Sequence, residues 1–163
     1  MAAPKLTPAF NMFVSVSIPT GMAPGNELSS LTVVNGEKGY IAPVDGSVRL
    51  EVTGASDWML LGPNTATATV DARVSATGPD GINLDLQYMG KFTITPRVTS
   101  VFTGTPGSGF EFGEEYFYTI PRISSRSKEF GWVNDSVFVA VGRAKSIEDG
   151  AALEIGYQIF KVG

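Results

Sequence analysis

Two aspartates and one arginine are the residues of this sequence best suited to acid and base chemistry. Asp57 precedes Trp58, and an indole wall beside a carboxyl group would raise its pKa and suit it to proton transfer. Asp71 and Arg73 stand two positions apart, so in a strand they share a face and can pair. Inside a cavity, Arg73 would hold a carboxylate or enolate oxygen while Asp71 orients the guanidinium. We predict Asp57, Asp71 and Arg73 as catalytic residues.

Each of these residues also has a structural interpretation. Asp57 suits a polar turn beside a core tryptophan, because aspartate is favoured in turns. The apolar residues between and around Asp71 and Arg73 occupy the alternating positions of the strand, which favours an outward placement of the charged pair. On the outer face the pair would be solvated and would add little stability. Both placements are compatible with the sequence, and the strand's orientation decides between them.

Aromatic and polar side chains suited to a pocket recur along the chain. Tyrosines can donate a hydrogen bond to a developing oxyanion or complete a core. Arg122 follows Pro121, which indicates an edge or bulged strand whose arginine reaches over a barrel mouth. A predicted strand face with Trp132, Asn134 and Phe138 gives an aromatic wall with one amide, or core packing beside a turn. The predicted substrate-binding residues are Trp58, Tyr88, Tyr116, Arg122, Trp132, Asn134 and Phe138.

Whole classes of chemistry are excluded by the residues that the sequence lacks. It contains no cysteine and no histidine, which removes disulfides, thiolate nucleophiles, Ser-His pairs and the usual zinc ligands. The adjacent acidic pairs at 114–115 and 148–149 diverge in an extended chain and match no calcium loop. We therefore expect no metal and no cofactor.

The charge balance limits the partners. Twelve Lys and Arg against sixteen Asp and Glu give a net charge of −4, which repels phosphate backbones and anionic lipid. No apolar run reaches the roughly 18 residues of a membrane span, and we read no signal peptide. We expect a cytoplasmic protein that binds an apolar small molecule, neither nucleic acid nor a membrane, with a homodimer as the alternative to a monomer.

Alternating apolar residues and frequent glycine and proline predict an all-β protein. Residues 8–18 form the first predicted strand, 19–27 a turn, and Asn35-Gly36 the turn of a hairpin. Residues 47–53 and 57–61 are predicted as two strands joined by a corner at Gly54-Ala55-Ser56. Helical periodicity is weak and is confined to 144–149. The remaining predicted elements are a hairpin of 65–77 and 82–89 around 78–81, a loop at 103–112, and strands at 116–123, 132–141 and 153–162.

One predicted strand has small residues along its apolar side. The side chains at alternate positions from Ala66 to Ala76 are alanine or valine. Such a face leaves room in a barrel, either for a large neighbouring side chain or for a ligand. Strands at hairpin spacing without long helices predict a sandwich or a closed up-and-down barrel, and closure has the advantage of removing exposed edges.

Several motifs stand in the order shown by a known family. The first are Ala55-Ser56-Asp57-Trp58, Val70-Asp71-Ala72-Arg73 and Gly78-Pro79-Asp80-Gly81. The later ones are Tyr116-Phe117-Tyr118-Thr119-Ile120-Pro121-Arg122, Trp132-Val133-Asn134 and Phe138-Val139-Ala140-Val141-Gly142. With them, residues 10–162 resemble the DUF3237 (UPF0311) family of small β-barrel proteins, although Ser56 and Pro79 depart from its pattern. The resemblance implies a single closed antiparallel up-and-down β-barrel of about eight strands, calycin- or lipocalin-like in shape, as one domain over residues 1–163.

The family name carries no function, so function is argued by analogy of fold. Pocketed β-barrels in secondary-metabolite pathways fold polyenes or polyketides for cyclisation, including Diels–Alder-type reactions. We expect a cofactor-independent isomerase or cyclase, of pericyclase or Diels–Alderase type, acting on an apolar oxygenated secondary metabolite. The alternatives are a lipocalin-like carrier and a structural subunit without a ligand. A buried aspartate aimed into the lumen favours chemistry, an aliphatic lumen favours carriage, and a filled lumen favours the structural role.

Overall fold

Strands make up most of the computed structural model, which describes residues 2–20, 30–63 and 66–163. The described part has one short helix, α1, at Pro96–Phe102. The strands are β1 Leu6–Ser17, β2 Ser30–Pro43, β3 Leu50–Leu61, β4 Thr67–Thr77, β5 Asn83–Thr93, β6 Gly109–Phe110, β7 Phe117–Ser124, β8 Val137–Ile147 and β9 Ala152–Val162. The predicted turn at 19–27 lies mostly outside the described residues.

The strands close on themselves. β1, β2, β3, β4, β5, β7, β8 and β9 pair in that order, and β9 pairs again with β1. Every one of these pairings is antiparallel, and the two-residue strand β6 adds to β8 beside β7. The chain is therefore a closed eight-stranded antiparallel β-barrel, which confirms the predicted fold.

Alternating burial shows which face of each strand lines the lumen. In β4 the buried side chains are Ala68, Val70, Ala72, Val74 and Ala76, so the small-residue face is the inner one, as predicted. β4 continues into β5 through the predicted turn, where Asp80 and Gly81 adopt positive φ. This hairpin is confirmed, and it places one wall of small residues inside the barrel.

The predicted hairpin at Asn35-Gly36 is wrong, because β2 continues through both residues as one strand. Its pairing with β1 shifts register after Gly36, since Val16 pairs with Gly36 but Ser15 pairs with Lys38. A Cβ at Gly36 would meet the Cβ of Ala55 and the Cγ1 of Val14 at 2.6 Å each. Glycine is needed at this position because residues of β1 and β3 approach it too closely to leave room for a side chain. The Asn-Gly pair therefore does not form a turn.

The predicted corner at Gly54-Ala55-Ser56 is also wrong. β3 is one strand with a β-bulge, since Val52 pairs with Ala76 but Gly54 pairs with the next residue, Ser75. A bulge adds one residue to one strand and so reverses which of its later side chains face inward. Leu50 is buried before the bulge, and the inner positions after it are 55, 57, 59 and 61. The bulge is what turns Asp57 toward the lumen.

Three further predictions need correction. The helix α1 was not predicted; it begins after Thr95, whose side chain accepts the backbone N–H of Val98, with proline at its first position. Residues 144–149, the one stretch considered helical, are the end of β8 and the start of a 3₁₀ turn. Residues 131–135 form another 3₁₀ turn, so β8 begins at Val137 and not at 132. The predicted loop at 103–112 is confirmed apart from β6.

Aromatic side chains fill one end of the lumen. Phe10 stacks on Trp132 with ring centroids 5.7 Å apart, and its other ring neighbours are Phe130 and Phe138. We call this cluster of four rings the packed end. Among the described residues, no helix is long and apolar enough to cross a bilayer.

Candidate functional site

A cavity of about 50 Å³ occupies the other end of the lumen, which we call the hollow end. Its wall is mostly apolar, and its polar side chains include a carboxyl group and two phenols. The lining residues are Val14, Val16, Pro19, Val34, Gly36, Ala55, Ser56, Asp57, Met59, Val70, Ala72, Val74, Tyr88, Phe92, Phe102, Phe117, Ile155 and Tyr157. Apolar walls with a few placed polar groups are typical of small-molecule sites.

Asp57 is the acidic group of this cavity. Its Oδ1 accepts a hydrogen bond from the backbone N–H of Asp71 at 3.0 Å, across the β3–β4 pairing. Burial raises the pKa of Asp57 to about 6; the hydrogen bond from Asp71 opposes this shift, and the charge of the Asp71 carboxylate adds to it. A carboxyl group with a pKa near neutrality can both take and return a proton at physiological pH.

Tyr88 and Tyr157 face each other across the lumen from β5 and β9. Their rings meet edge to face with centroids 5.2 Å apart, and both residues are buried. Burial raises the pKa of Tyr88 above its ordinary range, and the charge of Asp57 adds to the shift. The pKa of Tyr157 is raised by burial and then by Tyr88 and Asp57. Both side chains therefore stay neutral phenols, able to donate a hydrogen bond.

Asp57, Tyr88 and Tyr157 together form a base beside two hydrogen-bond donors in an apolar enclosure. A base in such a place can remove a proton from a carbon next to a carbonyl group, and the phenols can stabilise the negative charge that develops on oxygen. The low dielectric of the enclosure strengthens these interactions. The arrangement suits proton transfer on a carbonyl compound.

Of the predicted catalytic residues, the structure brings only Asp57 to this cavity. Asp71 and Arg73 lie on the outer face of β4, where Arg73 Nη1 is 3.1 Å from Asp71 Oδ1 in a half-exposed ion pair. Strand alternation decides their placement, because Ala72 between them faces inward. Asp71 acts on the site only through its backbone N–H and its charge.

Trp58 does not form the expected wall beside Asp57. It points outward from β3 and is half exposed, because adjacent residues of a strand face opposite sides. The desolvation of Asp57 comes from the lumen and not from an indole ring.

Other predicted substrate-binding residues lie away from the cavity. Arg122, Asn134 and Phe138 line a separate groove of about 480 Å³, where β7 and β8 diverge beyond Thr119. The Asn134 side chain is occupied locally, since it accepts the N–H of Ser125 and donates to the Ser125 carbonyl. Tyr88 is the predicted binding residue that does line the cavity.

Trp132 and Tyr116 also lie elsewhere. Trp132 belongs to the packed end, and the expected strand face with Asn134 does not form because both residues lie in a 3₁₀ turn. Tyr116 lies outside the barrel beside Tyr118, with ring centroids 5.0 Å apart.

Tyr157 is the site residue that sequence reasoning missed. The signal was present, because Leu153, Tyr157 and Ile159 keep the alternation of an inner strand face. What the pattern does not show is which inner residue of a distant strand this tyrosine meets.

The fold recurs in solved structures with little sequence similarity. A protein of unknown function from Rhodopseudomonas palustris is 15% identical, with a TM-score of 0.75 and all of both chains covered. A β-barrel-like protein from Acinetobacter baumannii AYE is 16% identical, with a TM-score of 0.65 over 100% of this chain and 98% of its own. A protein from Penicillium herquei, described as an enzyme, is 13% identical, with a TM-score of 0.63 over 100% and 97%. At these identities the likeness shows the fold.

No curated protein matches the sequence. A family described as "Protein of unknown function (DUF3237)" matches residues 4–162, nearly the whole chain, in agreement with the motif order from Ala55 to Gly142. The match includes every strand of the barrel, and the chain therefore belongs to the DUF3237 family.

Proposed function

We propose that this protein is a cofactor-independent isomerase or cyclase that transfers a proton on an apolar, oxygenated small molecule. The observation that carries the proposal is the position of Asp57, a carboxyl group with a pKa of about 6 in an apolar cavity that also holds Tyr88 and Tyr157. Groups with a perturbed pKa in a cleft are candidates for catalysis. The buried charge of Asp57 also lowers the stability of the folded protein, whereas an apolar residue could fill the same position without that cost.

The proposed reaction begins with removal of a proton. The ionised Asp57 takes a proton from a carbon next to the substrate's carbonyl group, and the C–H electron pair becomes an enolate whose negative charge lies on oxygen. Tyr88 or Tyr157 donates a hydrogen bond to that oxygen. Protonated Asp57 then returns the proton to another carbon. Alternatively, the enolate carbon attacks a second carbonyl carbon of the same substrate and closes a ring; the C=O π electrons move onto that oxygen, which takes the proton from Asp57. Neither outcome needs an oxidant or a reductant.

The size of the cavity limits what enters it. One water needs about 10–15 Å³ of such space, so 50 Å³ accommodates a carbonyl group with its neighbouring carbons. We propose that the reacting end of the substrate occupies the hollow end. The apolar wall selects a substrate that has few polar groups near the reacting carbon.

The similar structure from Penicillium herquei adds support of a weaker kind. That protein is described as an enzyme, so this barrel form is compatible with catalysis. Its name gives no reaction, and fold likeness alone does not transfer one.

Carriage of an apolar ligand is the second candidate, because most of the lining is aliphatic or aromatic. A carrier needs the cavity but not the ionisation of Asp57. Replacing the carboxylate of Asp57 should therefore abolish catalysis but leave carriage of a ligand unchanged.

The test is proton exchange in D₂O with a panel of cyclic ketones and 1,3-diketones, followed by NMR. We expect the protein to accelerate deuterium incorporation next to the carbonyl, with a rate that rises as pH increases through about 6, because the base must be ionised. Asp57→Asn should abolish the acceleration, and Tyr157→Phe should reduce it by about 10²-fold, the effect of losing one oxyanion donor.

Asp71→Asn and Arg73→Ala are the matched controls. Both change the outer ion pair and keep the backbone N–H that Asp57 accepts, so both should retain exchange. Asp71→Asn also removes the charge that raises the pKa of Asp57, so its pH profile should move to lower pH. The proposal is wrong if Asp57→Asn exchanges as fast as the natural protein. Ligand binding in the cavity that is unchanged in Asp57→Asn, without any exchange by either protein, would instead support carriage.

A further inference from the structure

The outer wall of the barrel carries two lines of side chains that cross five strands, β2, β3, β4, β5 and β7. The pairings align residues that point away from the lumen. The first line is Leu31, Leu60, Thr69, Lys91 and Tyr118. The second is Val33, Trp58, Asp71, Met89 and Ile120. We call the surface formed by these ten residues the outer belt.

The outer belt is apolar and exposed. Its seven large hydrophobic side chains are 42–63% exposed, and Tyr116, 57% exposed, extends it beside Tyr118. A large side chain that is half exposed still offers about 100 Å². The eight together therefore offer on the order of 800 Å². That exceeds the largest apolar patch of a typical monomer, about 300–600 Å².

The exposed area of the outer belt matches what a specific protein–protein interface requires of one partner. One partner in a specific protein interface contributes about 800 Å², and tryptophan, tyrosine and methionine are enriched in such interfaces. The belt includes a groove of about 440 Å³ beside Met89, Tyr118 and Ile120. Its apolar area extends over five strands, however, and so fits a broad protein surface.

The charges of the outer belt favour a second copy of this chain. Asp71 and Lys91 are its charged residues, and they have opposite signs. Asp71 pairs with Arg73 beside the belt, whereas Lys91 makes no ion pair with any described residue. A two-fold axis that bisects the line between them brings Lys91 of each copy over Asp71 of the other. Two-fold dimers are the commonest oligomers, and their interfaces must be self-complementary in this way.

We propose that the protein is a homodimer formed by the outer belts of two copies. The inference does not depend on the proposed catalytic function, because the belt and the cavity lie on opposite faces of the same strands.

Sedimentation equilibrium at micromolar concentration tests the proposal. The natural chain should show twice its 17.3 kDa mass. Met89→Lys and Ile120→Lys should each raise the dissociation constant by at least about 30-fold, as loss of an interface anchor does. Both side chains are more than half exposed, so the monomer should still fold. Val44→Lys is the control, because Val44 is 50% exposed but lies outside the belt, and it should leave the dimer intact.

Tryptophan fluorescence gives a second measurement. Trp58 and Trp132 are the two tryptophans, so in Trp132→Phe the emission reports on Trp58 alone. Dilution should shift that emission to the red as the dimer separates and Trp58 meets water.

Three results would overturn the proposal. The first is a 17.3 kDa monomer at every concentration. The second is an intact dimer in both belt variants, or a Val44→Lys variant that dissociates as they do. The third is a monomer that binds phospholipid vesicles through the belt, since that would assign the surface to a membrane.

Discussion

The two ends of the barrel lumen are built by the same strands but filled by different side chains. Phe10, Phe130, Trp132 and Phe138 occupy the packed end, whereas at the hollow end the aromatic rings of β5, α1, β7 and β9 face valines, alanines and Gly36 on β1 to β4. β4 contributes to both, with Ala72 at the cavity and Ala76 among buried neighbours. The size of the inner side chains, and not the number of strands, therefore decides where a closed barrel of this size keeps space.

The ends also differ in what their side chains cost. The rings of the packed end bury apolar surface and stabilise the fold. The hollow end buries a carboxyl group and two phenols, and the pKa of Asp57 is raised because burial opposes its charge. Packing of the rings therefore compensates for the folding free energy that burial of the carboxyl group costs, as is common where a binding site disfavours the folded state.

The largest effect is expected from Phe10→Ala. Phe10 is fully buried and contacts three other rings, so its removal leaves a cavity that fixed neighbours cannot fill. We expect the free energy of unfolding to fall by about 3–5 kcal/mol, measured by urea denaturation at pH 7. The shift of the Asp57 pKa should persist in the folded variant. A loss below about 1 kcal/mol would mean that this end is loosely packed.

The β4–β5 hairpin and the inner face of small residues could be predicted because their signals are local. The turn residues at 78–81 and the alternation on either side are read within one short segment. The interruptions at Gly36 and Gly54 could not be read in this way. Glycine is required at position 36 because Val14 and Ala55 approach from neighbouring strands. The bulge at Gly54 is defined by how β3 pairs with β4.

The same limits apply to the candidate site. Asp57 and Tyr88 were predicted, but the wall expected beside Asp57 was Trp58, which the bulge turns outward. Asp71 and Arg73 have a suitable chemistry at a suitable spacing but lie on the outer face of β4, away from the cavity. Tyr157 reaches the site because β9 closes the barrel against β1 and β8, and a pattern within one strand does not contain that pairing.

The second expected effect depends on pH and concerns Asp57→Asn. The pKa of Asp57 is about 6 in the folded protein against an ordinary value of 3.8, so the folded state binds the proton more tightly. Stability from this group is present below pH 4 and is lost as pH rises through 6. Asparagine removes the charge, so the variant should gain up to about 3 kcal/mol relative to the natural protein at pH 8 and nothing at pH 4.

Urea denaturation of both proteins at pH 4, 6 and 8 measures this difference. Other titrating carboxyl groups cancel, because they are shared by the two chains. Asp85→Asn provides the control, since Asp85 lies at the surface beside Arg126 and its replacement should not produce a gain that grows with pH. An Asp57→Asn variant that is less stable at pH 8 than at pH 4, relative to the natural protein, would place Asp57 in a charge-stabilising contact and not in a desolvated one.

The smallest effect compares one substitution at two positions of the same strand. Ala72→Val places two extra carbons at the cavity and should change the free energy of unfolding by less than about 1 kcal/mol, because there is space to receive them. Ala76→Val adds the same carbons where Ala76 pairs with Val52 and Leu84, and should cost about 1–3 kcal/mol. Since Ala72→Val also fills the proposed binding space, it should lose proton exchange while Ala76→Val keeps it in the folded fraction. Equal costs at both positions would show that the hollow end is as tightly packed as the other, and the cavity would then be too small to hold a reacting group.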